Sequence, residues 1–223
     1  MPGELKTKTK SEETRDRILQ AALELFHDRG FDVTTMREIA ERAGVATGAA
    51  YYYFDSKDAI VFAFYDLARR DMEPRLEKAL GESRDLKERL RRIIEVKLAY
   101  FAPSRKLLGA LSGHTNPEYP LSPFSKQTRE IREHDIQFFA RALEGSRTPG
   151  PKDLKKYLPQ LLWMFQMGMI LFWINDTSKG QAKTKVLLEK SLEVVTRLIK
   201  LSSLPLTGPI RKTVIQLMDA VMA

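Results

Sequence analysis

The sequence predicts an all-α protein of nine or ten helices, in which an N-terminal three-helix unit of helix-turn-helix type precedes a larger helical domain. Three observations support this fold class. Apolar residues recur at helical spacing along most of the chain, strand-like alternation is scarce, and Gly, Pro and small polar residues interrupt the pattern at intervals. With 223 residues, 43% of them hydrophobic and 30% charged, the chain has the composition of a globular protein rather than a disordered one.

The first two helices are predicted from apolar spacing and from residues that start and stop helices. In residues 14–29 the apolar side chains form one stripe, and Gly30 follows as a stop. Thr35 stands three residues before Glu38, which is the spacing of a capping box. This pair predicts the start of a second helix, which ends at Gly44.

The later helices follow from the same signals. A short third helix is predicted over residues 47–53, and Asp55 and Ser56 are suitable N-caps for a fourth. Ser122 and Pro123 have the pattern of an N-cap followed by Pro at the first helical position. The remaining helices are predicted at residues 85–101, 106–111, 123–143, 154–175, 181–201 and from Pro209 onward.

Residues 34–57 are the most informative about function. Two short helices joined by a tight turn at Gly44 have helix-turn-helix spacing. The second helix carries the small residue Gly48, so it can approach another surface closely. The three consecutive tyrosines at 51–53 cannot all face inward on a helix. Such a helix suits the major groove of DNA, where hydroxyl groups and Lys57 can donate to phosphate. Spacing alone leaves open the alternative of two packed helices with no nucleic-acid role.

Four motifs in this region carry a resemblance to a known family. They are T-R-x-x-I-L-x-A-A-L-x-L-F at 14–26, R-G-F at 29–31, T-T-x-x-x-I-A-x-x-A-G-V at 34–45 and G-x-x-Y-x-Y-F-x-S-K at 48–57. Residues 14–60 thereby resemble the DNA-binding domain of the tetracycline-repressor (TetR) family of transcriptional regulators. The resemblance implies an N-terminal arm and DNA-binding domain at 1–57, and a helical domain for ligand binding and dimerisation at 58–223.

By position, the resemblance also implies which residues meet operator DNA. Thr35 and Lys57 would contact phosphate, Tyr51 would pack and contact the backbone, and Met36 lies where some members have Arg. The other expected contacts, to bases, sugars or backbone, are Thr47, Gly48, Ala49, Tyr52 and Tyr53. Residues 1–57 hold 9 Lys and Arg against 10 Asp and Glu, so the net charge of +8 lies elsewhere in the chain. Overall charge is therefore weak support for DNA binding.

A second region of interest is the run LLWMFQMGMILFWI at residues 161–174, in which Gln166 is the only polar side chain. A helix that is apolar all round is expected to be buried. The run is shorter than the roughly 20 residues of a membrane span, so no membrane segment is expected. The resemblance implies that one side lines a ligand cavity, and the alternative for each residue is ordinary core packing. The expected ligand contacts are Tyr100, Phe101, Phe138, Trp163, Gln166, Met167 and Ile170.

The resemblance further implies a homodimer in which helices 154–175 and 181–201 pair with their copies. On the first helix, the face assigned to the dimer or core seam contains Leu161, Phe165, Gly168 and Phe172. On the second, the apolar stripe contains Val186, Leu187, Val194, Val195 and Leu198. Gly168 would permit a close helix approach.

Enzymatic functions find little support. The chain has no cysteine and three histidines far apart in sequence, so no metal site is expected, and a reducing compartment suits it. The N-terminus lacks the apolar run of a secretory signal, which favours the cytoplasm. Glycine-rich phosphate loops are also missing, so we expect neither an enzyme nor a cofactor.

Two functions remain at this point. The first is a ligand-responsive DNA-binding regulator, a repressor released from a near-palindromic operator by a mainly apolar small molecule. The alternative is a small-molecule-binding helical scaffold with a vestigial DNA-binding domain. The intact motif at Gly48–Lys57 favours the first.

Overall fold

The structure is a computed structural model that describes residues 9–112 and 116–222. In this part of the chain all regular structure is helical, as predicted, and consists of ten α-helices and four short 3-10 turns. The helices are α1 (Lys10–Asp28), α2 (Met36–Ala43), α3 (Thr47–Tyr53), α4 (Lys57–Gly81), α5 (Leu86–Phe101), α6 (Arg105–Ser112), α7 (Arg129–Glu144), α8 (Leu158–Asn175), α9 (Ala182–Ser202) and α10 (Gly208–Met222). The 3-10 turns are Ala102–Ser104, Lys152–Leu154, Lys179–Gln181 and Pro205–Thr207.

The described helices form two compact units. The first joins residues 9–68 with the segment Pro103–Thr128, and the second joins Arg69–Ala102 with the chain from Arg129 onward. Helix α4 is continuous across this boundary. The expected division of roles after Lys57 stays a prediction.

In the first unit, α1 begins four residues earlier than its apolar spacing predicts, because Thr9 and Glu12 close a capping box. The Thr9 hydroxyl accepts from the Glu12 amide at 3.2 Å, and the Glu12 carboxylate accepts from the Thr9 amide at 2.7 Å. Helix α1 packs against α2 and α6, and α2 packs against α3. The fully buried side chains Ile18, Phe26 and Ile39 belong to the core of this unit.

In the second unit, α5 packs against α7 and α9, and α8 packs against the same two helices. Arg89 of α5 is buried and donates to the carbonyls of Ala142 (2.9 Å), Arg141 (2.8 Å), Ser83 (2.8 Å) and Leu80. Leu80 and Ala142 lie in the last turns of α4 and α7. One guanidinium therefore satisfies carbonyls that have no partner within either helix.

The predicted helix start at Ser122 and Pro123 is wrong. The segment before Arg129 forms turns instead, and α7 begins at that residue. The Ser122 hydroxyl accepts from the Phe124 amide at 3.3 Å, and the Thr128 hydroxyl donates to the Ser122 carbonyl at 2.7 Å. Such local bonds between hydroxyl and backbone offer the chain an alternative to the helix.

Helix α8 begins at Leu158 rather than at Leu154, where the sequence prediction placed it. Pro159 explains the difference, because a helix already running from Leu154 would hold this proline in its interior. There it lacks the amide hydrogen and clashes with the carbonyl of the preceding turn, whereas the first turn tolerates it. Residues 152–154 form a 3-10 turn instead.

None of the helices in the described ranges combines the length and the apolar character that a membrane crossing requires.

Candidate functional site

Helices α2 and α3 are joined as the helix-turn-helix spacing predicts. The predicted capping box is confirmed, because the Thr35 hydroxyl accepts from the Glu38 amide at 3.3 Å and the Glu38 carboxylate accepts from the Thr35 amide at 2.9 Å. The bonds that the Glu38 carboxylate accepts from the Thr35 amide and hydroxyl lower the pKa of the Glu38 carboxyl. Gly44 ends α2 at φ 67°, a left-handed conformation that favours glycine. Met36, an expected DNA contact, is 7% exposed on the buried face of α2, so only its backbone is available to a phosphate.

Only one residue of helix α3, Ala50, is buried. Thr47 and Gly48 are exposed and Ala49 is half-buried, so three of the expected base-facing positions lie at or near the surface. The preceding residue, Ala46, caps α3 without a side-chain hydrogen bond. The side chains at the start of α3 are thus small and form no hydrogen bond that caps the helix, which suits close approach to another macromolecule.

The three tyrosines of α3 divide between packing and exposure. Tyr52 is 82% exposed and Tyr51 is 51% exposed. Tyr53 is half-buried, and its hydroxyl lies 3.3 Å from the hydroxyl of Ser11 at the start of α1. The rings of Tyr52 and Tyr53 meet edge to face, with their centroids 5.2 Å apart. Tyr52 therefore presents a partly oriented phenol to solvent.

Lys57, the expected phosphate ligand at the start of α4, already has partners in the first unit. Its ammonium donates to the carbonyls of Phe31 at 2.7 Å and Asp32 at 3.1 Å. It also lies 4.6 Å from the centroid of the Phe31 ring. Because an ammonium has three donors, one N–H remains for a phosphate.

Arg37 is a candidate that the sequence prediction did not single out. It is exposed in the first turn of α2 and has no hydrogen bond or ion pair within the described ranges. Its neighbour on the same helix, Arg42, pairs with Glu24 at 3.1 Å, and Arg29 pairs with Glu38 at 2.7 Å. The sequence alone does not show which arginine is unpaired, because the partner of Arg42, Glu24, lies 18 residues earlier in the chain and reaches it only in the folded structure.

In the second unit, Gln166 of α8 is the most unusual of the expected ligand contacts. It is fully buried, and neither Nε2 nor Oε1 has a hydrogen-bond partner in the part of the chain that the structure describes. A buried amide without partners costs about 1–3 kcal/mol. Gln166 therefore stands out within the apolar run 161–174, and its role as a ligand contact stays a prediction.

The other expected ligand contacts fall into two groups. Phe138 and Trp163 are buried on α7 and α8, which pack together, and Met167 and Ile170 are half-buried on α8. Tyr100 instead lies at the end of α5, where its hydroxyl donates to Asp71 of α4 at 3.0 Å. Burial and this hydrogen bond raise the pKa of Tyr100 to about 12. Phe101 contacts the Tyr100 ring edge to face, at 5.4 Å between centroids.

One buried ion pair was missed at the sequence level. Lys97 of α5 lies 2.6 Å from Asp135 of α7, and the lysine side chain is 2% exposed. This lysine is not among the residues that the sequence singles out. Its position four residues after the buried Ile93 was the available signal, because that spacing places both on one face of the helix.

An apolar surface without a partner covers parts of α8 and α9. On α9 the expected seam residues Val186, Leu187, Val194 and Leu198 are exposed, and Val195 is half-buried. On α8, Phe172 and Gly168 are exposed, and Leu161 and Phe165 are half-buried. Met164, Leu171 and Leu201 add further exposed apolar side chains. Several large apolar side chains of α8 and α9 are therefore exposed in the single subunit.

Comparison with known proteins assigns both parts of the chain. The family model for bacterial regulatory proteins of the tetR family matches residues 18–64, and that for the tetracyclin repressor-like C-terminal domain matches residues 89–215. The HTH-type transcriptional regulator TtgR of Pseudomonas putida is 44% identical over 61 residues, which are 27% of this chain and 29% of TtgR. The matched segment thus spans less than a third of that curated relative.

Solved structures share the fold over nearly their whole length. A TetR transcription regulator from Haloarcula marismortui has a TM-score of 0.66 at 17% identity, covering 84% of this chain and 98% of that one. FadR from Bacillus subtilis, in complex with stearoyl-CoA, has a TM-score of 0.64 at 20% identity, covering 81% and 97%. Since the C-terminal family model alone covers more than half of the chain, the protein belongs to the TetR family of transcriptional regulators.

Proposed function

We propose that this protein is a cytoplasmic repressor that binds a near-palindromic DNA operator as a homodimer and is released by a mainly apolar small molecule. The observation that carries the proposal is the surface of α3. This helix has one buried residue and exposes Thr47, Gly48, Tyr51 and Tyr52. A short helix with so little buried surface, and with hydroxyl groups directed outward, has little role within its own subunit and fits a major groove.

The DNA contacts divide by chemistry. Thr47 and Tyr52 are exposed on α3, so their hydroxyls can reach base edges and discriminate between base pairs. Arg37 and the remaining N–H of Lys57 can donate to phosphates, which fix position without reading sequence. Thr35 already uses its hydroxyl in the capping box. Phosphate binding at this position would therefore come from the backbone N–H groups in the first turn of α2.

Dimerisation follows from the apolar surface of α8 and α9. A single recognition helix reads only a few base pairs, so specific binding requires two copies spaced by whole turns of the DNA. A two-fold interface presents the same patch on both subunits, and pairing of α8 and α9 with their copies would form a four-helix bundle. Burial of Val194, Leu198 and Phe172 from both subunits supplies the apolar centre that a stable interface needs.

The effector site is proposed around Gln166, between α5, α7 and α8. The expected contacts Phe138 and Trp163 are buried apolar side chains on the packed helices α7 and α8, and the unpaired amide of Gln166 can both donate to and accept from a polar group on the ligand. The stearoyl-CoA bound by FadR, a relative in fold, includes a long apolar chain and supports this class of effector. Helix α4 runs uninterrupted from Lys57 to Gly81, and Arg89 holds the carbonyl of Leu80 near its end. We infer that α4 transmits effector binding to α3.

The first test is binding to a DNA duplex taken from beside the protein's own gene, at fixed salt, against a scrambled duplex of the same length. We expect a preference of roughly 1,000-fold, the usual lower range for a specific regulator. Equal binding to the two duplexes would favour the scaffold alternative.

The effector is tested separately. Mass spectrometry of the purified protein identifies a carried ligand, which is then titrated with and without the operator. A ligand that favours one conformer changes operator affinity about 5- to 150-fold, and the operator must weaken ligand binding by the same factor. Equal ligand affinity in both titrations would remove the induction mechanism.

A further inference from the structure

A groove of about 380 Å³ lies within the second unit, between α5, the end of α8 and the first half of α9. Its apolar lining includes the buried Trp173 and Leu188, together with Leu98 of α5. Charged side chains line the same groove, among them Glu95 and Lys185. None of the expected effector contacts lines this groove, so it is distinct from the region around Gln166.

The groove opens where a ladder of ion pairs between α5 and α9 ends. Glu189 of α9 pairs with Lys87 at 2.5 Å and with Arg91 at 2.6 Å. One turn further along α5 comes Glu95, and one turn before Glu189 comes Lys185. Neither side chain forms a hydrogen bond or ion pair among the residues that the structure describes. The charges of Arg91 and Glu189 offset each other, which leaves one free acid and one free base in the groove.

Much of the proposed dimer surface on α9 lies on the side of the helix opposite to Lys185. At about 100° per residue, Val194 is nine positions from Lys185 and therefore about half a turn away around the helix. Leu187 and Leu198, also exposed, lie within about 40° of that opposite direction. The part of the apolar surface that Leu187, Val194 and Leu198 form thus faces away from Lys185.

We propose that this groove is a second small-molecule site, which takes a zwitterion of the amino-acid type with an aromatic or large apolar body. Glu95 binds the ammonium group, Lys185 binds the carboxylate, and the body lies against Trp173 and Leu188. A molecule with only one charge would leave the other groove charge without a partner. A fully apolar molecule would cover part of both charged groups without replacing their water.

The electrostatics of Glu95 agree with this assignment. Burial raises the pKa of its carboxyl, and the nearby Arg91 acts in the opposite direction. The Glu95 side chain is still exposed and has no ion-pair partner within the described ranges, so its carboxylate is accessible to a bound cation. The volume is also appropriate, since small-molecule pockets begin at about 300 Å³.

The experiment is isothermal titration of the full-length protein with three probes of matched body: L-phenylalanine, phenethylamine and 3-phenylpropionate. We expect L-phenylalanine to bind at least about tenfold more tightly than either singly charged probe, equivalent to about 1.4 kcal/mol. The substitutions Glu95→Gln and Lys185→Met should each weaken L-phenylalanine binding about tenfold. Lys183→Met is the matched control on α9, because Lys183 does not line the groove.

Three results would overturn the proposal. They are the absence of L-phenylalanine binding at millimolar concentration, equal binding of phenethylamine or 3-phenylpropionate, and unchanged affinity in both groove variants. Circular dichroism verifies that each variant is folded, and both Glu95 and Lys185 are exposed, so neither substitution removes a core side chain. The measurement does not involve DNA, so its outcome is independent of the proposed repressor function.

Discussion

Lys97 and Asp135 form an ion pair, with 2.6 Å between Nζ and Oδ2, in which the lysine side chain is 2% exposed and the aspartate 24% exposed. The pair joins α5 to α7 inside the second unit. The two partners are therefore unequal, because water still reaches the carboxylate but not the ammonium. Loss of the carboxylate leaves a buried positive charge, whereas loss of the ammonium leaves a negative charge that can hydrate.

This asymmetry predicts that Asp135→Asn lowers the free energy of unfolding by about 3 kcal/mol, at the lower end for breaking a buried pair. Lys97→Met should cost clearly less, because its methylenes are replaced by a similar apolar chain. The double variant should be more stable than Asp135→Asn alone. Urea denaturation of the four proteins measures all three differences. Equal losses in the two single variants would contradict the unequal burial of the partners.

The sequence predicted local structure well where the signal is local. The limits of α3, the capping box of Thr35 and the turn at Gly44 all follow from neighbouring residues, and the structure confirms them. The pairing of Lys97 with Asp135 depends on how α5 meets α7, and that information is spread over the whole domain. The helix predicted from Ser122 failed for a different and local reason, because the Thr128 hydroxyl donates to the Ser122 carbonyl and so stabilises turns in place of the helix.

Gln166→Met should raise the free energy of unfolding by about 1–2 kcal/mol in the absence of effector, because it removes a buried amide that has no partner. The same change should weaken binding of the effector that copurifies with the wild type. Thermal or urea denaturation measures the first effect, and titration measures the second. A gain in stability without loss of ligand binding would mean that the amide does not contact the ligand.

The matched control for this change is Gln160→Met, since Gln160 lies on the same helix but is only half-buried. We expect a change within about 0.5 kcal/mol there, as for most surface substitutions. A similar gain at both positions would instead indicate a general preference of α8 for methionine.

Asp176 predicts a specific loss of stability in acid. Its carboxylate accepts from the hydroxyl and amide of Ser178 and from the hydroxyl and amide of Thr184, at 2.6 to 2.9 Å. These bonds, that of the Ser178 hydroxyl foremost, hold the pKa of Asp176 well below its ordinary value of 3.8. A lowered folded-state pKa contributes stability above the unfolded value, and this stability is lost as the pH falls through the folded value.

The measurement is the free energy of unfolding of the wild type and of Asp176→Asn between about pH 6 and pH 2. The wild type should be the more stable at the upper end, and the difference should shrink as the solution becomes acidic. A constant difference across this range would show that protonation of Asp176 is not coupled to folding.

Arg37→Ala should weaken binding to operator and to unrelated DNA by similar factors, because a phosphate contact carries no base information. The slope of log affinity against log salt concentration should become shallower by about one unit for each phosphate that the variant leaves unbound. Arg42→Ala is the control, since Arg42 is engaged by Glu24 on the same unit. A changed sequence preference in Arg37→Ala would assign this residue to a base instead.

Tyr52→Phe tests the recognition helix itself, because it removes an exposed hydroxyl and keeps the ring. We expect a change in which operator variants are preferred, by about 1–3 kcal/mol at the affected base pair. Lys57→Ala is a poorer probe of the expected phosphate contact. It also removes the two bonds to the carbonyls of Phe31 and Asp32, so its effect on DNA would include a loss of stability.

Val194→Asp should convert a dimer to a monomer that no longer binds operator DNA, although the substitution lies far along the chain from α3. Val194 is 56% exposed at the centre of the apolar stripe of α9, and a carboxylate placed there would be buried against its own copy in a two-fold interface. Like charges desolvated together cost several kcal/mol. Ala182→Asp adds the same charge at an exposed position at the start of α9 and should leave the dimer intact. Sedimentation at micromolar concentration measures both variants, and a wild-type protein that sediments as a monomer would exclude the interface altogether.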